Sequence, residues 1–251
     1  MQLNKPELKR RLLLEQNKDG ESAWHVTVRE GREMVLERLL HLAKEMQLNP
    51  DEVRNKLLLD QEQDGQSAWF LAAKSGNVKV LEEIWELAKE KEDTEEINFK
   101  LLLAQNKYGQ TALHVAAVNS VAVLEKLWAF AKEAQLSQEK LVNKLILAKD
   151  KKGYTTWNQA AKGGSLETLE KLWSWAKEVE LNPHELLLAQ NEEGETDFHL
   201  AAERNHVEIL EKLWDWAEEE SQNLSGLKNK LLLTKDRGGY TAWNRAVKVA
   251  V

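Results

Sequence analysis

Histidine is the side chain best suited to acid–base or metal chemistry near neutral pH, and the chain has six. His25, His114 and His199 fall at one recurring position, which Asn158 and Asn244 occupy elsewhere. An amide can replace imidazole in a hydrogen bond but not as a ligand or base, so this pattern favours a structural role. His184 and His206 lack the partners at i+3 or i+4 that helical zinc sites use. The segments Asn17-Lys18-Asp19-Gly20 and Asp150-Lys151-Lys152-Gly153 have some of the look of calcium loops. They lack the succession of carboxylates and the closing glutamate of such a loop. No phosphate-cradling glycine motif and no nucleophile elbow is present. Glu218-Glu219-Glu220 reads as a solvated helix face. No residue pattern calls for catalysis, a cofactor or a metal.

These residues belong to an internal repeat. A glycine followed after one residue by Ser or Thr recurs at Gly20, Gly65, Gly109, Gly153, Gly194 and Gly239, at spacings of 45, 44, 44, 41 and 45. A large residue stands four places on, at Trp24, Trp69, Leu113, Trp157, Phe198 and Trp243. A long-helix leucine then follows at Leu36, Leu81, Leu124, Leu169 and Leu210. The third repeat is one residue short between its first two helices, and the fourth is four short in its last segment. Deletions that respect element boundaries mark a repeat architecture rather than low complexity. The expected division is residues 17–61, 62–105, 106–149, 150–190 and 191–235, with partial units at 1–16 and 236–251.

Composition narrows the function classes. Hydrophobic residues make up 42% of the 251, enough for a continuous core, yet no apolar run approaches the ~20 residues of a membrane span. The opening residues lack the apolar core of a signal peptide. Without cysteine there is no disulfide framework or thiolate site. A net charge of −7 disfavours nucleic acid, whose phosphates need a cationic surplus. The expected setting is cytoplasmic or otherwise intracellular.

Each repeat reads as three helices. In the first, Asn17–Gly20 forms a tight turn, Ser22 caps a short helix Ala23–Arg29, and Gly31 ends it. A longer helix, Met34–Lys44, carries apolar residues at helical spacing. Asn49-Pro50-Asp51-Glu52 then opens a third helix. Later third helices start at Thr94, Ser137 and Asn182-Pro183, and Asn223–Gly226 interrupts the chain before the fifth. Ala-Ala pairs permit close helix approach, and the tryptophans recur at core positions, each bringing roughly 150–250 Å² of area. Leu3…Leu12 matches Leu48…Leu57, so the opening residues read as the last helix of a preceding unit. Together with the apolar end VKVAV, this fits a piece of a longer array, a designed array, or ends that pair with another copy.

The segments GQTALHVAA (Gly109–Ala117) and GETDFHLAA (Gly194–Ala202) resemble the ankyrin repeat signature, and Asn205-His206 resembles its glycine-histidine turn. The similarity recurs six times over nearly the whole chain. The family's proline is absent, replaced by Ala23, Ala68, Ala112, Thr156, Asp197 and Ala242, and the period is about 44 instead of 33. The resemblance implies an all-α, ankyrin-like helical solenoid of five full and two partial repeats, with the surplus residues as a third helix on the convex side. It also implies that the signature histidines bond backbone and the cap hydroxyl of the turn.

Ankyrin turns form fingers along a concave binding groove. The chain's three tyrosines, Tyr108, Tyr154 and Tyr240, all lie in the glycine turns, where an aromatic anchor costs little entropy. The resemblance adds Lys107, Gln110, Lys151, Lys152, Lys162, Glu192, Glu193, Glu195, Glu203 and Arg204 as groove positions. The fourth repeat offers lysines where the fifth offers acids, so a partner with the reverse order would be steered into register. The expectation is a non-catalytic scaffold that binds another protein, with a spacer or an end-to-end self-associating array as the alternative.

Overall fold

The computed structural model describes residues 11–45, 58–89, 94–221 and 226–249. The protein is all-helical: among the described residues no strand forms, and one isolated β-bridge joins Gln61 to Ser67. The chain divides into two compact units, residues 1–135 and 136–251.

In the first unit the short helices are α1 (Ala23–Arg29), α3 (Ala68–Ser75) and α6 (Ala112–Asn119), and the long ones are α2 (Glu33–Glu45), α4 (Val78–Lys89) and α7 (Val121–Glu133). Each short helix packs on its own long helix, and α1 also packs on α3 and α3 on α6. The helix α5 (Thr94–Leu103) is the third helix of its repeat and packs on α4. In the second unit the short helices are α9 (Thr156–Gly163), α12 (Asp197–Glu203) and α15 (Ala242–Val249), with α9 on α12 and α12 on α15. Its long helices are α10 (Leu166–Glu178) and α13 (Val207–Ser221).

Ala-Ala pairs make the close approach of short helices feasible. Ala72-Ala73, Ala116-Ala117, Ala160-Ala161 and Ala201-Ala202 are all buried. The tryptophans fill the layer behind them. Trp69, Trp85 and Phe130 form one three-ring cluster, with Trp85 stacked on Phe130 at 4.5 Å between centroids. Trp157, Trp173 and Trp216 form its counterpart in the second unit, with Trp173 on Trp216 at 4.8 Å. Tilted and offset ring pairs add favourable energy beyond the area buried.

The turn between short and long helix needs a left-handed residue. Gly31, Gly76 and Gly164 supply it, and Asn205 does so in the fifth repeat at φ 57°. The His206 ring lies within 2.7 Å of where a Cβ on Gly164 would stand, which fixes glycine there. The third repeat, one residue shorter, omits this turn, and Ser120 caps α7 directly.

The third segments differ from the expected regular helices. Ser137 caps only the single turn α8 (Gln138–Lys140), which runs into a π-helical stretch, Leu141–Ile146, that buries Leu141, Leu145 and Ile146. In the fourth repeat α11 (Pro183–Leu187) is a short helix capped by Asn182, and in the fifth α14 (Leu227–Leu233) starts after Gly226. The expected start at Asn49-Pro50 lies outside the described residues, as do most of Asn223–Gly226 and the last two residues of the chain. No described helix is long and apolar enough to cross a membrane.

Candidate interaction surface of the glycine turns

The signature histidines hold the turns. In the first repeat Nδ1 of His25 accepts the Ser22 backbone N–H at 3.2 Å and lies 2.8 Å from its hydroxyl; Nε2 sits 3.0 Å from the carbonyl of Asp60. His199 does the same with Thr196 and with the carbonyl of Tyr240. This geometry defines the Nε2–H tautomer. Burial holds His199 below its usual pKa. Asn158 and Asn244 reproduce the inner half of the arrangement with Thr155 and Thr241 through their side-chain oxygens. Among the described residues, no three His, Asp or Glu side chains gather as a metal would need.

The first residue of each turn uses its side-chain oxygen on backbone. Oδ1 of Asn106 accepts the N–H groups of Tyr108 and Gln110, and Oδ1 of Asp150 those of Lys152 and Tyr154. In the two turns with a calcium-like look, Asn17 and Asp150 act in this way as turn caps.

Three variants of this turn exist; in the second repeat Glu62 takes the first place and accepts the N–H groups of Asp64 and Gln66. Where the first residue is asparagine, its amide donates to the side chain four places on: Asn17 to Glu21, Asn106 to Gln110 and Asn191 to Glu195. Where it is aspartate, that later position is tyrosine, and the second carboxylate oxygen accepts from a side chain nine places on. Gln159 reaches Asp150 at 3.2 Å, and Arg245 reaches Asp236 at 2.6 Å.

Successive turns are tied together by backbone. In the first unit Gln63 N–H donates to Asp19 C=O, and Lys107 N–H to Asp64 C=O. In the second, Glu192 donates to Lys152 and Arg237 to Glu193. Glycine follows each acceptor residue because the next turn passes so closely. A Cβ on Gly65 would stand 2.6 Å from the nitrogen of Lys107, and one on Gly153 2.7 Å from that of Glu192.

Most of the expected groove residues lie at the tips of these turns. Tyr108 is 51% exposed, with the Lys107 ammonium 5.2 Å from its ring centroid, and Lys107 also pairs with Asp64 of the preceding turn. Lys151, Lys152, Glu192, Glu193 and Arg204 are exposed, and Glu203 is half-buried. Tyr154 is half-buried under Lys162, whose ammonium lies 4.4 Å from its ring centroid; burial, then the Glu195 charge, raise the phenol's pKa. Tyr240 is 39% exposed beside the Arg245 guanidinium.

Two residues depart from expectation. Glu195 is only 6% exposed, and its carboxylate binds Asn191 and, at 3.2 Å, Arg245. Gln110 is half-buried and accepts from Asn106. Both belong to the interior of asparagine-type turns instead of a surface offered to a partner. Arg245, absent from the expected set, bridges Glu195 and Asp236; its place nine residues after a turn aspartate is the signal that marks it.

No protein-family model matches the chain, and no curated protein matches it significantly.

Proposed function

We propose that the protein is a non-catalytic, ankyrin-like solenoid scaffold that binds another protein through the tips of its glycine turns. The observation that carries this reading is the backbone tie between successive turns. Such ties hold the tips at fixed spacing, so a partner meets a surface already ordered and the entropy cost of binding falls. On the second unit this surface sets Lys151 and Lys152 of one turn beside Glu192 and Glu193 of the next, joined by the Glu192–Lys152 hydrogen bond. A charge step of this kind selects a partner with acids followed by bases, and acts mainly on association rate and register. Tyr108 supplies the aromatic anchor on the first unit, and Tyr240 on the second. The buried roles of Glu195 and Gln110 remove them from the proposed contact set.

The test is a photo-crosslinking residue placed at Tyr108 or Lys151 of the full chain in cell extract, followed by calorimetry on the captured protein. Affinity should fall about tenfold or more for Tyr108→Ala and for the double change Lys151→Glu, Lys152→Glu. It should also weaken as salt rises. Unchanged affinity in both variants, with folding intact by circular dichroism, would remove the turn tips as the binding face.

A further inference from the structure

Two pairs of neighbouring long helices in this protein meet in the same way. The residue after the repeat leucine on one helix is a glutamate, and a lysine two places after the leucine on the next helix reaches it. Lys126 pairs with Glu82 at 2.5 Å, and Lys212 with Glu170 at 3.5 Å. Four residues beyond that lysine stands an aromatic ring, which closes a three-ring cluster with the preceding repeat. Phe130 closes the cluster of Trp69 and Trp85, and Trp216 that of Trp157 and Trp173. The lysine also lies over its own aromatic, 5.3 Å from Phe130 and 5.6 Å from Trp216.

The fifth repeat presents the receiving half of the same junction to an open cavity of about 590 Å³. Phe198 and Trp214 line it as the counterparts of Trp157 and Trp173, with Glu211 at the place of Glu170 and Asp215 beyond it. Leu210 and Trp243 complete the apolar wall, and Trp243 is 58% exposed. Neither Glu211 nor Asp215 has an ion-pair partner among the described residues. An apolar trough with a carboxylate rim matches an amphipathic helix that sets a lysine against that rim, and disfavours one that sets a glutamate there.

We propose that this cavity is a second binding site, which takes an amphipathic helix of a partner protein carrying Lys-x-x-x-Trp or Lys-x-x-x-Phe. Its lysine pairs with Glu211, and its aromatic ring docks on Trp214 and Phe198 as the third ring of the cluster. The required spacing follows from the two complete junctions, where lysine and ring stand one helical turn apart on one face.

The probe is a fluorescein-labelled, end-capped peptide, LETLEKLWSWAKE, which copies Leu166–Glu178. It is titrated with the full chain and followed by anisotropy. Saturable binding is expected, weakened about tenfold or more by Glu211→Lys in the protein. The same loss is expected for peptides with Lys171→Glu or Trp175→Ala. The charge-reversed pair, Glu211→Lys protein with Lys171→Glu peptide, should recover most of the binding. Glu211 is exposed, so its substitution leaves the fold intact, which circular dichroism checks. Binding that ignores Glu211→Lys, or no saturable binding at all, overturns the proposal. So does a sedimentation mass that climbs with concentration and returns to the monomer value in Glu211→Lys, because the cavity's occupant would then be a second copy of the chain.

Discussion

Glu83 is set against Glu37 at the helix position from which Lys126 and Lys212 each reach a glutamate of the neighbouring long helix. Burial first, then the Glu37 charge, push its carboxyl above the usual range, and one of its oxygens has no hydrogen-bond partner. Glu83→Lys turns this repulsion into the ion pair found at the other junctions. A gain of about 0.5–1 kcal/mol is expected for a half-exposed pair, measured as a rise in the urea midpoint with unchanged m. Adding Glu37→Lys should cancel the gain; if it does not, the effect comes from something other than this pair.

Asp197 occupies the first turn of α12, where four other repeats carry alanine, and it is fully buried. Asn158 donates to it at 2.6 Å, but burial dominates and raises its pKa well above the ordinary value. The unfolded chain therefore releases this proton at lower pH than the folded one, and stability falls as pH rises from about 4 toward neutrality. Asp197→Ala should flatten that slope in thermal melts taken between pH 4 and 7. A slope unchanged in the variant would show that Asp197 is ionised in the folded protein.

His199 is held below its usual pKa by burial and acts neutral, with Nδ1 as acceptor. Protonation must break that bond, so its contribution is present above pH ~6.5 and lost as pH falls below that value. His199→Asn keeps the Thr196 bond but not the reach to Tyr240, and should cost about 1 kcal/mol. His199→Ala leaves buried backbone groups unpaired and should cost roughly 2–4 kcal/mol. Equal losses in the two variants, compared at pH 8, would mean that packing matters here and hydrogen bonding does not.

Gly153 sits at φ 75° with the Glu192 nitrogen 2.7 Å from where its Cβ would stand. Gly153→Ala adds left-handed strain of about 1–2 kcal/mol and also forces the next turn away. Gly239 has the same φ, near 79°, but open space around it, so Gly239→Ala should show the strain alone. Hydrogen exchange at the Glu192 amide separates the effects: it should quicken in Gly153→Ala and stay protected in Gly239→Ala.

Much of the local architecture was legible because it recurs. The capped short helices, the Ala-Ala contacts and the buried tryptophans all follow from residue types repeated at matched positions, and imidazole exchanged for amide correctly signalled a hydrogen-bonding role. The turn interior was less legible. Glu195 and Gln110 read as surface residues because the ankyrin resemblance sets them at groove positions, and only the asparagine four places earlier draws them inward. The third segments were least legible. Leu141–Ile146 reads LVNKLI, with apolar residues spaced as in a regular α-helix, so its π-helical geometry left no signal. The three tyrosines read as one class, yet Tyr108 and the pair Tyr154 and Tyr240 stand at different places in two kinds of turn.

That division has a consequence for how such a chain can change. In an asparagine-type turn the amide nitrogen draws the fifth residue inward, and the tip gains no aromatic from it. An aspartate at the same place presents an oxygen instead, recruits a donor from the adjoining helix, and releases the fifth residue to become tyrosine. A one-atom difference on a half-hidden side chain thereby governs what a turn displays. Single substitutions among the three coupled positions each leave a polar group unanswered, whereas the whole triplet can be exchanged together. Between the asparagine and aspartate turns of this protein, the three positions differ as a set.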